Sequence, residues 1–278
     1  MALWDEIGTE GNVEDRRGQR TSIALGGGLV GLALVAAMVF LMGGSGSDVL
    51  QAVLQQASQQ TTTQQTDQPF EDTKNYKGFA SKVLGSTTET WNNLFQQQGQ
   101  EYTPPNLVLF RDVTQTGCGT ASSAVGPFYC PLDQTIYLDE TFFDAIQRQL
   151  GAQTGGEDVA QAYVMAHEVG HHVQNLSGIM QAHSDAATSP EVSTRLELQA
   201  DCYAGIWANN VKLQGIFENE NEIYEAIRLA EAIGDDKIQE KAQGQVNPET
   251  WTHGSSAQRV QWFKTGYTHP ALSSCNTF

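Results

Sequence analysis

The chain has 278 residues, of which 40% are hydrophobic and 9% are aromatic, which is enough for one substantial domain with a packed core. Its 32 acidic residues outnumber its 15 basic residues, and the net charge of −17 argues against nucleic acid as a partner, because phosphates require Lys and Arg. We interpret the acidic balance as a solubility feature and not as an acidic binding surface.

The first predicted element is an apolar segment at residues 22–42, long enough to cross a bilayer. It holds 21 uncharged and mainly apolar residues, and a helix rising about 1.5 Å per residue then spans a hydrocarbon core of about 30 Å. Three arginines precede it and no Lys or Arg follows before Lys74, so the positive-inside rule places residues 1–21 in the cytoplasm. We predict an uncleaved single-pass anchor. A cleaved signal peptide is the alternative, but the apolar run is long for one.

Residues 43–69 are rich in Gln, Ser and Thr and low in charge, which predicts a flexible stalk. The folded domain is expected over residues 70–278. Its pattern is mixed and mostly helical, which predicts an α+β fold. Short strands are expected in NLVLFRD and TIYLDE, at residues 106–112 and 135–140. Helices are expected within residues 70–99, 156–178, 189–215 and 219–236.

The four cysteines, Cys118, Cys130, Cys202 and Cys275, form no CxxC motif, which argues against a structural zinc knuckle. An even number of cysteines outside the cytoplasm suggests disulfides, and four thiols allow three pairings. A Cys118–Cys130 bond would close a short loop, and a Cys202–Cys275 bond would tie the C-terminal tail to a helix. Four buried free thiols are the alternative.

The segment AHEVGHHVQN contains the pattern H-E-x-x-H at His167, Glu168 and His171. On a helix, histidines at i and i+4 share one face, so both imidazoles can bind one Zn²⁺ at about 2.0–2.1 Å. Glu168 is displaced around the helix axis and is placed to reach a water at the metal. The alternative is a helix surface without a metal, but the uncharged run before His167 indicates that this helix enters the core. Gly170 leaves room for close packing in the middle of the helix.

A catalytic zinc site needs a third protein ligand and one open position. The metzincin continuation is absent, because Gln174 and Ser177 stand where it requires Gly and His. The segment ELQAD supplies Glu197 as the candidate third ligand. One turn later, Asp201 can accept a hydrogen bond from a ligand imidazole, which we assign to His167. The alternative for both acids is a solvated face, although they lie beside an apolar stripe.

His172 points about 100° away from His171 on a helix, so we expect it to pack or to hydrogen-bond and not to bind metal. His253 and Arg259, in THGSSAQR, lie beside a predicted helix start. An N–H donor or a cation from this place can stabilise the oxyanion of a tetrahedral intermediate. A loop that only caps the helix is the alternative.

Several segments together resemble the bacterial neutral zinc metallopeptidase family. They are GNVEDRR, the apolar anchor, GCGTASSAVGPFYCP, TIYLDETFF, AHEVGHHVQN, RLELQADCYAG, AIGDD and THGSSAQRVQWFKTG. They stand in the family order and cover nearly the whole chain except the stalk. The resemblance implies a membrane-anchored zinc protein with His167, His171 and Glu197 as ligands and Glu168 as the catalytic acid.

More distantly, HExxH followed by ExxxD and a late His and Arg is similar to the gluzincins with short catalytic domains, which implies a zincin-like fold. In those enzymes the late His and Arg lie close to the site, which implies the same for His253 and Arg259. Their substrate aligns along a strand that precedes the HExxH helix, and TIYLD is the counterpart here. This chain departs from their late motif, because Gly254 stands where Pro is typical.

The predicted function is zinc-dependent hydrolysis of peptide bonds, with Glu168 as general base and His253 or Arg259 at the oxyanion. The expected partners are a protein or peptide substrate and the lipid bilayer. The expected location is the bacterial inner membrane, with the catalytic domain in the periplasm. The rival prediction is an inactive, zinc-stabilised adaptor of the cell envelope. A hydrolase that acts on a non-peptide bond is a third possibility.

Overall fold

The computed structural model describes residues 2–19, 70–150, 158–217 and 221–278, so the predicted anchor and the whole predicted stalk lie outside the described residues. The strands in these ranges are β1 (Val13–Asp15), β2 (Asn106–Leu109), β3 (Val113–Thr116), β4 (Gly119–Ser122), β5 (Phe128–Cys130) and β6 (Thr135–Leu138). The α-helices are α1 (Tyr76–Gln97), α2 (Thr141–Leu150), α3 (Asp158–Leu176), α4 (Ile179–Ala182), α5 (Pro190–Leu213), α6 (Ile223–Ala232), α7 (Asp235–Gln243) and α8 (Ser256–Thr268).

The predicted class, mostly helical α+β, is confirmed. Helices α1, α3 and α5 and strands β2 and β6 lie where the sequence predicts them. The stretch predicted as one helix at 219–236 instead contains α6 and the start of α7, because Gly234 is extended and precedes the first turn of α7. In the part of the chain that the structure describes, no helix is both long and apolar enough to cross a membrane.

The main sheet has the strand order β1-β2-β6-β5, in which β5 is antiparallel to β6 and the other neighbours are parallel. Strand β6, the TIYL segment, is therefore internal, with β2 on one side and β5 on the other. A substrate strand cannot pair with β6, because both of its edges already carry ladder hydrogen bonds. The strand at this end of the sheet is β5, and β3 and β4 form a separate hairpin.

The sheet is buried on both faces. Leu107 and Leu109 of β2 pack into the main core with helices α1, α3 and α5. Val108, on the opposite face, joins a smaller cluster with Phe110 and Tyr137. The alternation follows from the two-residue period of a strand. Because both faces of the sheet are covered, the edge strand β5 has a fixed position relative to α3.

The N-terminal residues are part of the folded unit. Residues 2–19 belong to one compact unit with residues 71–278, and β1 pairs in parallel with β2, with Val13 opposite Leu107 and Asp15 opposite Leu109. The sequence instead predicted a separate tail over residues 1–21. The buried apolar residues of this segment are too widely spaced in the sequence to show the period of a strand or of a helix.

Helices α3 and α5 cross at Gly170. A Cβ atom at this position would lie 3.0 Å from both the Cα and the carbonyl oxygen of Ala200. The expected close packing at Gly170 is therefore present. Two disulfides are formed, Cys118–Cys130 and Cys202–Cys275, and the second joins α5 to the segment that follows α8.

Candidate metal centre

Three side chains from two helices converge on one point. His167 and His171 lie one turn apart on α3, and Glu197 faces them from α5. The Nε2 atom of His167 is 3.1 Å from Oε2 of Glu197, and the Nε2 atom of His171 is 3.4 Å from Oε1. One potential ligand atom from each residue lies within 4.8 Å of the others. The structure thus brings together the three residues that the sequence predicts as ligands.

The second ring nitrogen of each histidine has its own acceptor. Nδ1 of His167 donates to Oδ1 of Asp201 at 2.8 Å, the contact that the sequence predicted. Nδ1 of His171 donates to Oε1 of Gln174 at 2.9 Å. In the neutral form of each ring, a proton held on Nδ1 by these bonds leaves Nε2, the nitrogen that faces Glu197, with a free lone pair. The arrangement fixes the tautomer that a metal ligand needs.

Asp201 is the centre of a buried polar cluster. Its Oδ2 accepts from Nε of Arg259 at 2.8 Å, and its Oδ1 accepts from Nη2 of Arg259 at 3.0 Å. The hydroxyl of Tyr163 also donates to Oδ1, at 2.5 Å. Arg259 is 3% exposed, and its remaining donor Nη1 lies 3.4 Å from the carbonyl of Ile233. The structure therefore directs Arg259 to Asp201, and Arg259 also lines the cavity. The sequence predicted either His253 or Arg259 at the oxyanion.

Gln174 is held as firmly as Asp201 but carries no charge. Its Nε2 donates to the carbonyl of Leu196 at 2.7 Å and to Oε1 of Gln199 at 3.1 Å. Gln199 in turn donates to the carbonyl of Cys275 at 2.9 Å. Sequence reasoning considered Gln174 only as a missing glycine of another motif. Its position three residues after His171, on the same helix face, is the signal that could have found it.

The charges of the cluster favour a cation. Burial opposes ionisation of both acids, but the His171 and His167 imidazoles hold the pKa of Glu197 well below its ordinary value, and the Arg259 guanidinium lowers the pKa of Asp201 to about 2. Burial also opposes protonation of His167, yet the Asp201 carboxylate raises its pKa to about 10. Protons and a metal ion compete for the same imidazole nitrogens, so the pair of carboxylates favours whichever cation is present.

Glu168 lies next to the candidate ligands and lines the same cavity. It is 7% exposed, and burial raises the pKa of its carboxyl. None of the described residues donates a hydrogen bond to this carboxylate. A buried carboxylate with a raised pKa and free oxygen atoms is suited to accept a proton.

The cavity beside these residues has a volume of about 500 Å³. Apolar side chains from α2, α3, α4 and the β5 region form much of its wall. They are Val125, Phe128, Phe142, Ile146, Val164 and Met180. Tyr129 of the edge strand β5 lies in the same wall. The cavity therefore joins the three candidate ligands, Glu168 and the edge of the sheet in one space.

His253 reaches the cavity from the loop before α8. Asp235, at the start of α7, holds this loop: its Oδ2 accepts from the backbone N–H groups of Thr252, His253 and Gly254 at 2.7–3.0 Å. Oδ1 of Asp235 lies 3.2 Å from Nδ1 of His253 and raises the pKa of that imidazole. Asp235 belongs to the AIGDD segment, whose sequence alone predicts no role for this carboxylate.

His172 is fully buried and points away from Glu197, as expected. Its Nδ1 accepts from the hydroxyl of Tyr129 at 2.9 Å, and its Nε2 donates to the carbonyl of Thr103 at 2.7 Å. Asn175 also donates to the Tyr129 hydroxyl, at 3.0 Å. Residues of the HExxH helix thus contact the edge strand β5.

The donor set fits zinc. Two imidazole nitrogens and one carboxylate are the ligands of a catalytic zinc site with an open position, and each imidazole already has its outer hydrogen bond. A structural zinc site normally has four protein ligands, and the described residues hold no other cluster of metal-binding type near this one. The geometry therefore matches a catalytic and not a structural donor set.

Comparison with known proteins agrees with this chemistry. The profile of a family described as "Putative neutral zinc metallopeptidase" matches residues 2–278. The chain is similar to uncharacterized protein YpfJ of Escherichia coli (strain K12), with 40% identity over 99% of this chain and 98% of that protein. It is also similar to uncharacterized protein Mb2605 of Mycobacterium bovis, with 46% identity over 64% of this chain and 63% of that protein. No solved structure matches the chain.

Proposed function

We propose, from the premise that this chain belongs to the neutral zinc metallopeptidase family, that it hydrolyses peptide bonds at a zinc site formed by His167, His171 and Glu197. The observation that carries the proposal is the convergence of these residues beside a buried Glu168 in one cavity. When bound there, zinc supplies a Lewis acid that polarises a carbonyl and lowers the pKa of water to about 7.

Glu168 is the proposed general base. Its raised pKa suits a group that takes a proton from water and then gives it to the leaving amine. His167 and His171 keep their Nδ1 protons on Asp201 and Gln174, so their Nε2 atoms stay directed at the metal position. The roles of base and ligand are thus separated between neighbouring residues of one helix.

The peptide is proposed to lie along β5. Phe128 and Tyr129 of this strand line the cavity with Glu168, and no strand among the described residues pairs with the outer edge of β5. An added peptide strand would gain main-chain hydrogen bonds there, and the apolar cavity wall would take its side chains. This replaces the predicted docking on TIYLD, whose edges are both occupied.

His253 is the proposed donor to the oxyanion, because its side chain is 51% exposed at the cavity and Asp235 restrains Nδ1. Arg259 acts on the site through Asp201, since its donors are directed into the buried cluster. This division assigns the two late residues of THGSSAQR different tasks.

Insertion of residues 22–42 into a bilayer, without a single crossing, is also proposed, because these residues are uncharged and mainly apolar. Two disulfides support a location outside the reducing cytoplasm.

The test uses the full-length protein in detergent, because residues 2–19 belong to the folded unit. Bound zinc and the degradation of casein are measured for the wild type and for Glu168→Gln, with and without a zinc chelator. We expect about one zinc per chain in both proteins, and a loss of activity of about 10²–10⁴-fold in the variant. The exposed Glu101→Gln serves as the matched control and should keep full activity.

Undiminished activity of zinc-loaded Glu168→Gln would contradict the assigned base. Zinc binding by the wild type without any hydrolysis would favour the rival, a metal-stabilised adaptor. Absence of zinc from the wild type would remove the basis of the proposal.

A further inference from the structure

We infer that His172 is a positioning residue for substrate, which holds the edge strand β5 at a fixed place relative to the metal ligands. This inference rests on the proposed function. His172 directly follows His171 on α3, but its imidazole faces the sheet. One turn of one helix therefore carries a candidate ligand on one side and a contact to the proposed substrate strand on the other.

The hydrogen bonds of His172 define its state. The carbonyl of Thr103 can only accept, so Nε2 carries the proton, and Nδ1 accepts from the hydroxyl of Tyr129. Asn175 adds a second hydrogen bond to the same hydroxyl. Two residues of α3 thus hold one side chain of β5.

Strand β5 needs such restraint because it is short. Its ladder with β6 consists of three residue pairs, from Phe128 opposite Tyr137 to Cys130 opposite Thr135. The Tyr129 ring also packs edge-on against His172, with ring centroids 5.4 Å apart. Contacts to α3 therefore act on the middle residue of the strand that lines the cavity.

The test uses Tyr129→Phe, which keeps the ring but removes both hydrogen bonds to α3. Tyr137→Phe is the matched control, because it removes a hydroxyl of the neighbouring strand that bonds Asp133 and not α3. Asn175→Ala removes one of the two bonds and provides a second variant. Two probes are titrated into the zinc-loaded full-length proteins: acetohydroxamate, which binds the metal, and a tripeptide hydroxamate, which also extends along the strand.

We expect Tyr129→Phe to bind the tripeptide hydroxamate about tenfold more weakly, while acetohydroxamate affinity and zinc content stay within about twofold of the wild type. Asn175→Ala should show a smaller loss, and Tyr137→Phe none. Equal affinities of Tyr129→Phe and the wild type for both probes would overturn the inference. So would an equal loss for both probes. If the wild type binds neither probe, the proposed function fails first, and the inference with it.

A different observation supports a second inference, which does not depend on activity. We infer that residues 2–19 lie on the same side of any membrane as residues 71–278. Strand β1 pairs with β2 inside the sheet. A single crossing by residues 22–42 would place the two paired strands on opposite sides of the bilayer. The predicted cytoplasmic tail is therefore incompatible with a domain outside the cytoplasm.

The contacts of the N-terminal segment are those of a core element. Arg17 is 5% exposed and forms ion pairs with Asp15, Asp72 and Glu140, at 2.6–2.8 Å. A segment that left the unit would take Arg17 away from Asp72 and Glu140.

At the other end of the N-terminal segment, Trp4 also contacts residues of the domain. The indole of Trp4 stacks on Trp207 with ring centroids 6.2 Å apart, and its Nε1 donates to Asp158 at 2.7 Å. Both ends of the N-terminal segment thus depend on residues that follow the apolar stretch.

The test is cysteine labelling of the full-length protein in its native membrane, with a membrane-impermeant maleimide. Glu10→Cys places a thiol on the N-terminal segment, and Glu101→Cys is the matched position on the domain; both sites are exposed, and the native cysteines are paired. We expect the two thiols to behave alike. Either both react in intact cells with a permeabilised outer membrane, or both react only after the cells are lysed. Reaction of one before lysis and of the other only after lysis would overturn the inference.

Discussion

The two histidines of the candidate metal site lie one turn apart on the same helix, yet their surroundings differ. His167 donates to Asp201, a buried carboxylate that is paired with Arg259 and Tyr163. His171 donates to Gln174, a neutral amide that is held by backbone and side-chain acceptors. The carboxylate both orients its imidazole and raises its basicity, whereas the amide mainly orients. Within one site, Asp201 therefore affects both the charge and the orientation of its imidazole, whereas Gln174 affects mainly the orientation.

On the charged side of the site, formed by His167 and Asp201, the negative charge of Asp201 is compensated by the positive charge of Arg259. Asp201 is fully buried, and Arg259 is nearly so. A buried pair of this kind contributes little net stability, but the loss of one partner leaves the other charge without compensation. On the neutral side, formed by His171 and Gln174, a substitution leaves no buried charge without compensation. Stability and metal affinity should therefore change much more when the charged side is altered.

The largest effect is expected for Asp201→Asn. The change leaves the Arg259 guanidinium buried without its counter-ion, which should cost about 3–5 kcal/mol of unfolding free energy, and it should weaken zinc binding about 10–100-fold. Chemical denaturation and chelator competition measure the two quantities. The double variant Asp201→Asn/Arg259→Met should regain stability but not zinc affinity. Recovery of both would contradict the electrostatic role of Asp201.

Gly170→Ala should have the next largest effect, because it changes the spacing on which both sides rely. The new methyl group would meet the backbone of Ala200 at 3.0 Å, so α3 and α5 must separate, at about 1–3 kcal/mol. Zinc affinity should fall with stability, since the ligands come from both helices. Gly8→Ala is the control, because a methyl group there meets no atom within 4 Å. Unchanged zinc affinity in Gly170→Ala would show that helix spacing does not limit the site.

Gln174→Ala should weaken zinc binding by about tenfold, the lower end of the range expected for Asp201→Asn. His171 loses the acceptor that orients its ring, but no charge is removed. The amide donors to Leu196 and Gln199 are lost as well, which should lower stability by about 1–3 kcal/mol. Isothermal titration with zinc and thermal unfolding of the metal-free protein measure both. A loss of affinity as large as that of Asp201→Asn would erase the difference between the two sides.

The smallest effect concerns His253, whose side chain is half-exposed. The hydrogen bond to Asp235 raises the pKa of His253, so its stabilising contribution is complete below the ordinary histidine pKa of about 6.5 and is lost as pH rises through the higher folded value. NMR titration should show this pKa falling toward its ordinary value in Asp235→Asn. Unfolding of that variant should depend less on pH just above neutrality. An unshifted pKa in the variant would exclude Asp235 as the cause.

Local spacing predicted the centre of the site well. His167, Glu168 and His171 follow from one helical turn, and Glu197 and Asp201 from another. Both helices carry apolar patterns that predict which face is buried. The structure brings these five residues together, because i and i+4 positions share a face in any regular helix.

Relations between distant segments could not be predicted in the same way. Strands β1 and β5 have three residues each, too few to show a period, and whether β6 lies at an edge depends on both neighbours. Arg259 was predicted only as an alternative to His253 at the oxyanion, because its sequence neighbourhood does not reveal the buried carboxylate that it contacts 58 positions earlier.

The contacts of Gln199 have a consequence for the order in which the site is completed during synthesis. A ribosome produces both histidines and Glu197 long before Cys275, whose carbonyl lies 76 positions after its partner Gln199. Strand β1 emerges early and must wait for β2, as Asn12 waits 94 positions for Asn106. The nascent chain therefore has the candidate ligands, Gln174 and Asp201 before the distant contacts from Arg259 and Cys275 can form. If the site holds zinc, we expect its affinity to reach the mature value only after residue 275 has been made, when the hydrogen bond from Gln199 can form.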